Sequence, residues 1–493
     1  MSTTRLDTRG GMGAECRAMQ ELCFAPAHRV ASLVRTREVS PVEVVRAALD
    51  RIARLNPALN AFVALRPEAA LTEARALEAR IARGEDPGIL AGVPFGVKDE
   101  EDLAGLATTR GSVPYRDRVP ASDSTQVARL RAAGAIPLGK TNMPEFGYTA
   151  FTKNRLFGVT RNPWNLERTP GGSSGGSSAA VAAGLVPLST AFDGGGSVRI
   201  PASYTGLFGL KPTFGRISRA PFEFRDWIDT ICPGPLTRTV ADAAHFLDAV
   251  VGYDPGDPDS LPHPGYAYAD RLERVPEGLR IGYSPTLGYA RVQKDVLREV
   301  EAGVATLARA LGRPVEPVDD VITDGGMAWV LLNCIERRAW LIDLLEPHRD
   351  DWEHGFLTGL DFAASVTARE MGWAQRERHR VIEDVNRLFA RYDLLLTPTL
   401  PTPAFAAGGP LPSEVDGEAF ASPIHAVAFT YPFNLTGHPA ATVRSGFADD
   451  GLPVGLQLVA ERGREDMLLQ VARVWEQVRP FDRWPDVAPD AGA

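Results

Sequence analysis

Two serines set in glycine-rich turns are the residues of this chain best suited to chemistry. The stretch Gly171–Ser218 reads GGSSGGSSAAVAAGLVPLSTAFDGGGSVRIPASYTGLFGLKPTFGRIS. Its small-residue clusters, Gly171–Ser178 and Gly194–Ser197, bracket the apolar run Ala179–Leu188, which sets it apart from a flexible linker. Glycines beside a serine let backbone N–H groups approach a bound group where a Cβ would stand in the way. Ser197 reads as a nucleophile and Ser173 as its proton relay. A serine hydroxyl is a poor nucleophile unless a neighbour takes its proton. Attack on a carbonyl also builds an oxyanion, for which the N–H groups of Gly194, Gly195, Gly196 and Ser197 are the candidate donors.

Other chemistries lack their patterns. There is no H-E-x-x-H, no clustered Cys/His set and no G-x-x-x-x-G-K-[ST], so neither a metal nor a cofactor is expected. The residues around Ser197 are G-G-S-V-R, not a G-x-S-x-G elbow, and none of the eight histidines lies in a suggestive context.

Four motifs carry a resemblance: G-V-P-F-G-V-K-D (92–99), G-G-S-S-G-G (171–176), D-G-G-G-S-V-R-I-P-A (193–202) and G-L-K-P-T-F-G-R-I-S (209–218). Together they resemble the amidase signature family, hydrolases of amides and related acyl bonds. With G-K-T-N-M-P-E-F (139–146), G-P-L-T-R (234–238), D-L-L-L-T-P and G-L-P-V-G-L-Q-L, the likeness spans roughly residues 30–478. It implies a Ser–Ser–Lys triad of Ser197, bridging Ser173 and base Lys98, with a cis peptide at Gly172–Ser173. It implies also that Asp193 and Arg199 pair to hold the nucleophile loop. The chain departs from the commoner pattern at Phe192, where a threonine is usual, and at Gly194, where a threonine or another residue with a β-carbon is usual. The extra glycine hints at room for bulky acyl or aryl groups.

Lysine's reference pKa is near 10.4, so a lysine base must be pushed down by about 3–4 units to be neutral at pH 7. The apolar strand Val93–Val97 can bury the end of Lys98. The acidic run after it would oppose that shift, so Glu100 and Glu101 are expected to point away. Met143, Phe146, Tyr148 and Phe151 are candidates for an acyl pocket.

The positioning elements follow from periodicity. Ser40-Pro-Val-Glu43 is a helix start with a capping-box glutamate, and the helix runs to the Asn56-Pro57 pair. Strands read at 61–65, 92–98, 135–138, 279–283, 315–318 and 392–399, with helices at 67–83, 125–134, 239–251, 293–311 and 464–478. Their alternation is the α/β signature. Residues 325–390 are helical throughout, a helical excursion that could wall the pocket. The resemblance implies one large α/β domain over 27–478, with a mixed, mostly parallel central sheet flanked by helices and a core signature over 92–218. A leader or short helix (1–26) and a tail (479–493) flank it.

Composition bounds the partners. The 493 residues carry a formal charge of −9 and a pI near 5.5, which argues against nucleic acid and against an anionic membrane surface. No secretory signal or apolar span is visible, and Cys16, Cys23, Cys232 and Cys334 are scattered, so free thiols in the cytoplasm are expected. The expectation is hydrolysis of a small-molecule amide, carbamate or aryl ester through an acyl-Ser197 intermediate, by a monomer or homodimer. Three alternatives stay open. The first is the amidase subunit of a tRNA-dependent amidotransferase, which usually has glutamine where Ile200 stands and differs over 219–232. The others are a cyclic-amide or nylon-oligomer hydrolase and a non-catalytic binding protein of the same fold.

Overall fold

The computed structural model describes residues 22–223, 229–480 and 483–487. The leader expected over 1–26 lies mostly outside them, as does part of the 479–493 tail. Eleven strands form one sheet: β1 (Phe62–Leu65), β2 (Pro94–Lys98), β3 (Ile136–Thr141), β4 (Leu188–Asp193), β5 (Phe208–Lys211), β6 (Cys232–Thr237), β7 (Ile281–Tyr283), β8 (Val315–Pro317), β9 (Leu394–Pro398), β10 (Ala440–Phe447) and β11 (Pro453–Ala460). Their order across the sheet is β1-β3-β2-β4-β6-β5-β10-β11-β9-β7-β8.

The sheet is mixed, as expected, but parallel pairs do not predominate. Four pairings are parallel, β3-β2-β4 on one side and β9-β7-β8 on the other. The remaining six are antiparallel. The middle of the sheet contains the β10–β11 hairpin, whose short turn enforces antiparallel pairing.

The main helices are α1 (Pro41–Leu59), α2 (Gly175–Ala182), α3 (Arg199–Thr205), α4 (Val240–Val250), α5 (Lys294–Leu311), α6 (Gly326–Leu345), α7 (His354–Ala364), α8 (Ala368–Arg391) and α9 (Glu465–Val478). Ser40 caps α1 in a full capping box, but the helix does not stop at Asn56-Pro57. Pro57 falls in the last turn, where little continuing hydrogen bonding is lost, and left-handed Asn60 ends the helix. Strand β3 also runs beyond Leu138 to Thr141.

The sheet is buried on both faces. In β9, Leu394 and Leu396 join a core with Phe246 of α4, Val300 of α5 and Leu468 and Trp475 of α9. Leu395, pointing the other way, joins a second core with Leu332 of α6 and Val381 and Val385 of α8. A third cluster, with Phe146, Leu341, Trp352 and Phe356, ties α6 and α7 to the 145–147 turn. Among the described residues, no helix is long and apolar enough to cross a membrane, and Cys23, Cys232 and Cys334 are free thiols.

Candidate active site

Strands β2 and β4 are parallel neighbours, so their carboxyl ends open on the same edge of the sheet, the usual place for a site in an α/β fold. Lys98 is the last residue of β2, and the loop after Asp193 ends β4. Against that edge lies a cavity of about 760 Å³, lined by Lys98, Ser173, Gly194, Gly195 and Ser197. Its other walls are largely apolar: Tyr148, Phe151, Phe192, Ile231, Trp329 and Phe356, with Ile424 and Val427.

Lys98 is wholly buried. Its Nζ lies 2.8 Å from Ser173 Oγ, and the Gly172–Ser173 peptide is cis. The neighbouring serines are structural: Ser174 lies on the Phe192 backbone, Ser177 donates to Thr190 O, and Ser178 donates to Pro170 O. Ser197 lines the same cavity, and no described residue hydrogen-bonds to its hydroxyl. The structure thus joins Lys98 directly to Ser173 and leaves the Ser197 hydroxyl open.

The acidic run behaves differently from expectation. Glu101 does point away, accepting from Ser124 Oγ at 2.7 Å and from Gln126 Nε2 at 3.0 Å. Glu100 does not: its Oε2 sits 3.0 Å from Lys98 Nζ. A turn explains the difference. The Glu101 N–H donates to Lys98 O at 2.9 Å, so the chain folds back at the end of β2; Asp99 and Glu101 face Lys140, Thr109 and Ser124, and Glu100 is brought back onto Lys98. Burial still pulls Lys98 below its ordinary pKa; Glu100 and Asp193 oppose that fall and Arg337 assists it.

The nucleophile loop is fastened from beneath. Arg199 forks onto Asp193 with two 2.9 Å bonds, and both side chains are fully buried. Arg199 also donates to Gln457 of β11 and to Asn434, each at 2.7 Å, while Asn434 donates back to Asp193. Burial pushes Asp193 up, but the Arg199 charge and the hydrogen bonds outweigh it and bring it down to about 2.

This bracing narrows the set of candidate oxyanion donors. The Gly196 N–H is spent on Asp193 Oδ1 at 2.7 Å, which takes it out of that set. Gly196 has φ +133°, and a Cβ there would strike Thr430. The N–H groups of Gly194, Gly195 and Ser197 carry no hydrogen bond to described residues, and all three residues face the cavity. The carbonyls are held from outside: Trp329 Nε1 donates to Gly194 O at 2.8 Å, and Thr430 Oγ1 to Gly195 O at 2.6 Å. A Cβ on Gly195 would sit 2.4 Å from the Trp329 ring. At Gly194 an added Cβ would meet Ile231 at 3.2 Å, so the room left by that glycine is bounded.

Of the four pocket candidates, Tyr148 and Phe151 line the cavity. Met143 does not; it is wholly buried behind the wall. Phe146 faces an adjoining smaller cavity and stacks on Phe356. Sequence reasoning missed Trp329, Arg337 and Phe356 individually, although it pointed to their segment as a wall. Their only signal is the recurrence of aromatic and charged residues on the 325–390 helices.

The family model for amidases matches residues 43–335 and 345–469. The chain belongs to the amidase signature family. It is similar to an acylamidase of Rhodococcus erythropolis, 37% identical over 484 residues, covering 95% of this chain and 98% of that one. It is also 37% identical to a glutamyl-tRNA(Gln) amidotransferase subunit of Carboxydothermus hydrogenoformans, over 94% of this chain and 99% of the relative. Among solved structures, a bacterial aryl acylamidase of the same family superposes with a TM-score of 0.87 at 32% identity, over 94% and 98% of the two chains. The protein is a hydrolase of carbon–nitrogen amide bonds.

Proposed function

We propose that this amidase cleaves its substrate through a covalent acyl-Ser197 intermediate. The observation that carries the reading is the 2.8 Å contact between the buried Lys98 amine and Ser173, on the wall of the cavity that Ser197 also lines. Ser197 Oγ attacks the carbonyl carbon as its proton passes to Ser173, whose own proton passes to Lys98. Substrate binding completes the Ser197–Ser173 contact, as catalytic hydrogen bonds often tighten only in the complex. The N–H groups of Gly194, Gly195 and Ser197 stabilise the oxyanion. Lys98 returns its proton through Ser173 to the departing amine, and water, deprotonated by the same chain, releases the acid.

The largely apolar cavity suits an aryl or extended acyl amide, and a carbamate or aryl ester presents the same carbonyl. A cytoplasmic monomer or homodimer is the working assembly. The test is a panel of anilides, aliphatic and cyclic amides, carbamates and aryl esters against wild type and Ser197→Ala, with a fluorophosphonate label. Turnover and labelling that vanish in Ser197→Ala support the reading; retained turnover of any amide in that variant overturns it.

The likeness to an amidotransferase component favours a second reading, in which the chain serves a tRNA-dependent complex. Purification from its native source decides: partner proteins that co-purify stoichiometrically support this second reading. An active, partner-free chain removes it.

A further inference from the structure

Helix α6 lays a stripe along the cavity: Trp329, Asn333 and Arg337, spaced four residues apart. Trp329 holds the nucleophile loop through Gly194 O, and Asn333 Nδ2 donates to the Trp329 carbonyl. Arg337 ends the stripe, about 12 Å along the helix from Trp329. Among the described residues it makes no hydrogen bond and no ion pair, and its Nε is cut off from water without a partner. The other arginines nearby are engaged: Arg110 with Glu223, Arg199 with Asp193 and Arg219 with Asp259.

The carboxylates of the cavity do not supply the missing partner. Glu100 feels the Arg337 charge through space, but its contact is with Lys98, at 3.0 Å. Glu145 accepts from Ser112 Oγ at 2.6 Å and from the Glu353 N–H at 2.7 Å. The Glu353 carboxylate accepts from the Gly355 N–H at the start of α7. Of the remaining cations, Lys98 is paired with Ser173 and Glu100, and Lys153 is exposed at the rim. A half-buried guanidinium without acceptors is costly, and its planar fork matches a carboxylate.

We infer that Arg337 is the anchor for a carboxylate carried by the substrate. The preferred substrates are then amides with an apolar body and an acid group away from the scissile bond, such as monoamides of dicarboxylic acids. The inference rests on the cavity being the amide-hydrolysing site proposed above. Arg337 determines specificity and takes no part in bond making.

Two measurements test it. The first compares kcat/KM for the mono-anilide of adipic acid with that for the methyl ester of the same anilide, reading release of aniline. Wild type should favour the free acid by at least tenfold, mainly through KM, and the preference should shrink as salt rises. Arg337→Gln should bring the ratio close to one, and Arg337→Lys should restore part of it. A wild-type ratio near one, or a ratio unchanged in Arg337→Gln, overturns the inference. The second is calorimetric titration of 4-phenylbutyrate against 4-phenylbutanol, which needs no turnover. The acid should bind wild type at least tenfold more tightly than the alcohol, and Arg337→Gln should abolish that gap; equal binding in wild type overturns the inference. If Ser197→Ala still cleaves both anilides, the nucleophile assignment fails while the binding result stands or falls alone.

Discussion

The floor and the wall of the cavity are built on opposite principles. On the floor, Lys98, Asp193 and Arg199 are wholly buried, and each is matched by a designated partner. The wall, α6 and α7, leaves Met327, Ile342 and Phe362 exposed and offers the cavity an arginine that no described residue hydrogen-bonds or ion-pairs. The floor tolerates no unpaired charge because it has no water to solvate one. The wall borders solvent, which can solvate a charge left unpaired there until a ligand displaces the water. Under the proposed mechanism, reaction chemistry falls to the first region and choice of substrate to the second.

The largest expected break in this contrast is Arg199→Ala. It strands Asp193 in the interior and should cost about 3–5 kcal/mol of stability, read by chemical denaturation. A loss below about 1 kcal/mol, typical of surface pairs, would place the pair outside the floor. Because folding lowers the Asp193 pKa to about 2, the wild-type contribution is complete above the unfolded value near 3.9 and fades as pH falls from there toward 2. The gap between wild type and Arg199→Ala should therefore narrow over that acid range.

Gly195→Ala attacks the seam between the regions. Its methyl meets the Trp329 ring at 2.4 Å, so the loop must shift and the oxyanion donors with it. Loss of a donor's aim costs on the order of 10²–10³ in kcat, while the melting temperature should move little. A large drop in stability with normal kcat in the surviving folded protein would show that the loop is not the oxyanion site.

Glu100→Gln sharpens the account of the base. With Lys98 as the proposed base, only its neutral form is active, so kcat/KM rises with pH through the lysine's pKa. Glu100 holds that pKa up against burial, and its neutral replacement should move the acid limb to lower pH. A fixed limb, or one displaced upward, would mean that another group controls it. The smallest effect is expected from Trp329→Phe, which removes a single hydrogen bond to Gly194 O, worth about 1 kcal/mol. A fall of roughly fivefold in kcat/KM would match.

Local signals make much of the floor legible. The Ser40 capping box, the apolar run ending in Lys98 and the glycine clusters around Ser173 and Ser197 announce themselves within a few residues. Charge alone misplaces Glu100 because it ignores the turn: the chain folds back between Lys98 and Glu101 and sets Glu100 against the Lys98 amine. Gly196 looks like a donor in the sequence, yet the Asp193 carboxylate claims its amide, a fact of turn geometry. The predominance of antiparallel pairs reflects the order of strands across the sheet, which chain order does not reveal. Arg337, Trp329 and Phe356 reach the cavity only through packing of α6 and α7 against distant segments, and no local pattern encodes that meeting.

The braces on Asp193 and Arg199 come from Asn434 and Gln457, more than 230 residues downstream. During synthesis the segment bearing Ser197 leaves the ribosome long before either brace is made. Until both arrive, Arg199 has no Asn434 or Gln457 to bond. The loop that carries Ser197 thus receives its last fastenings only after the polymer has grown past Gln457.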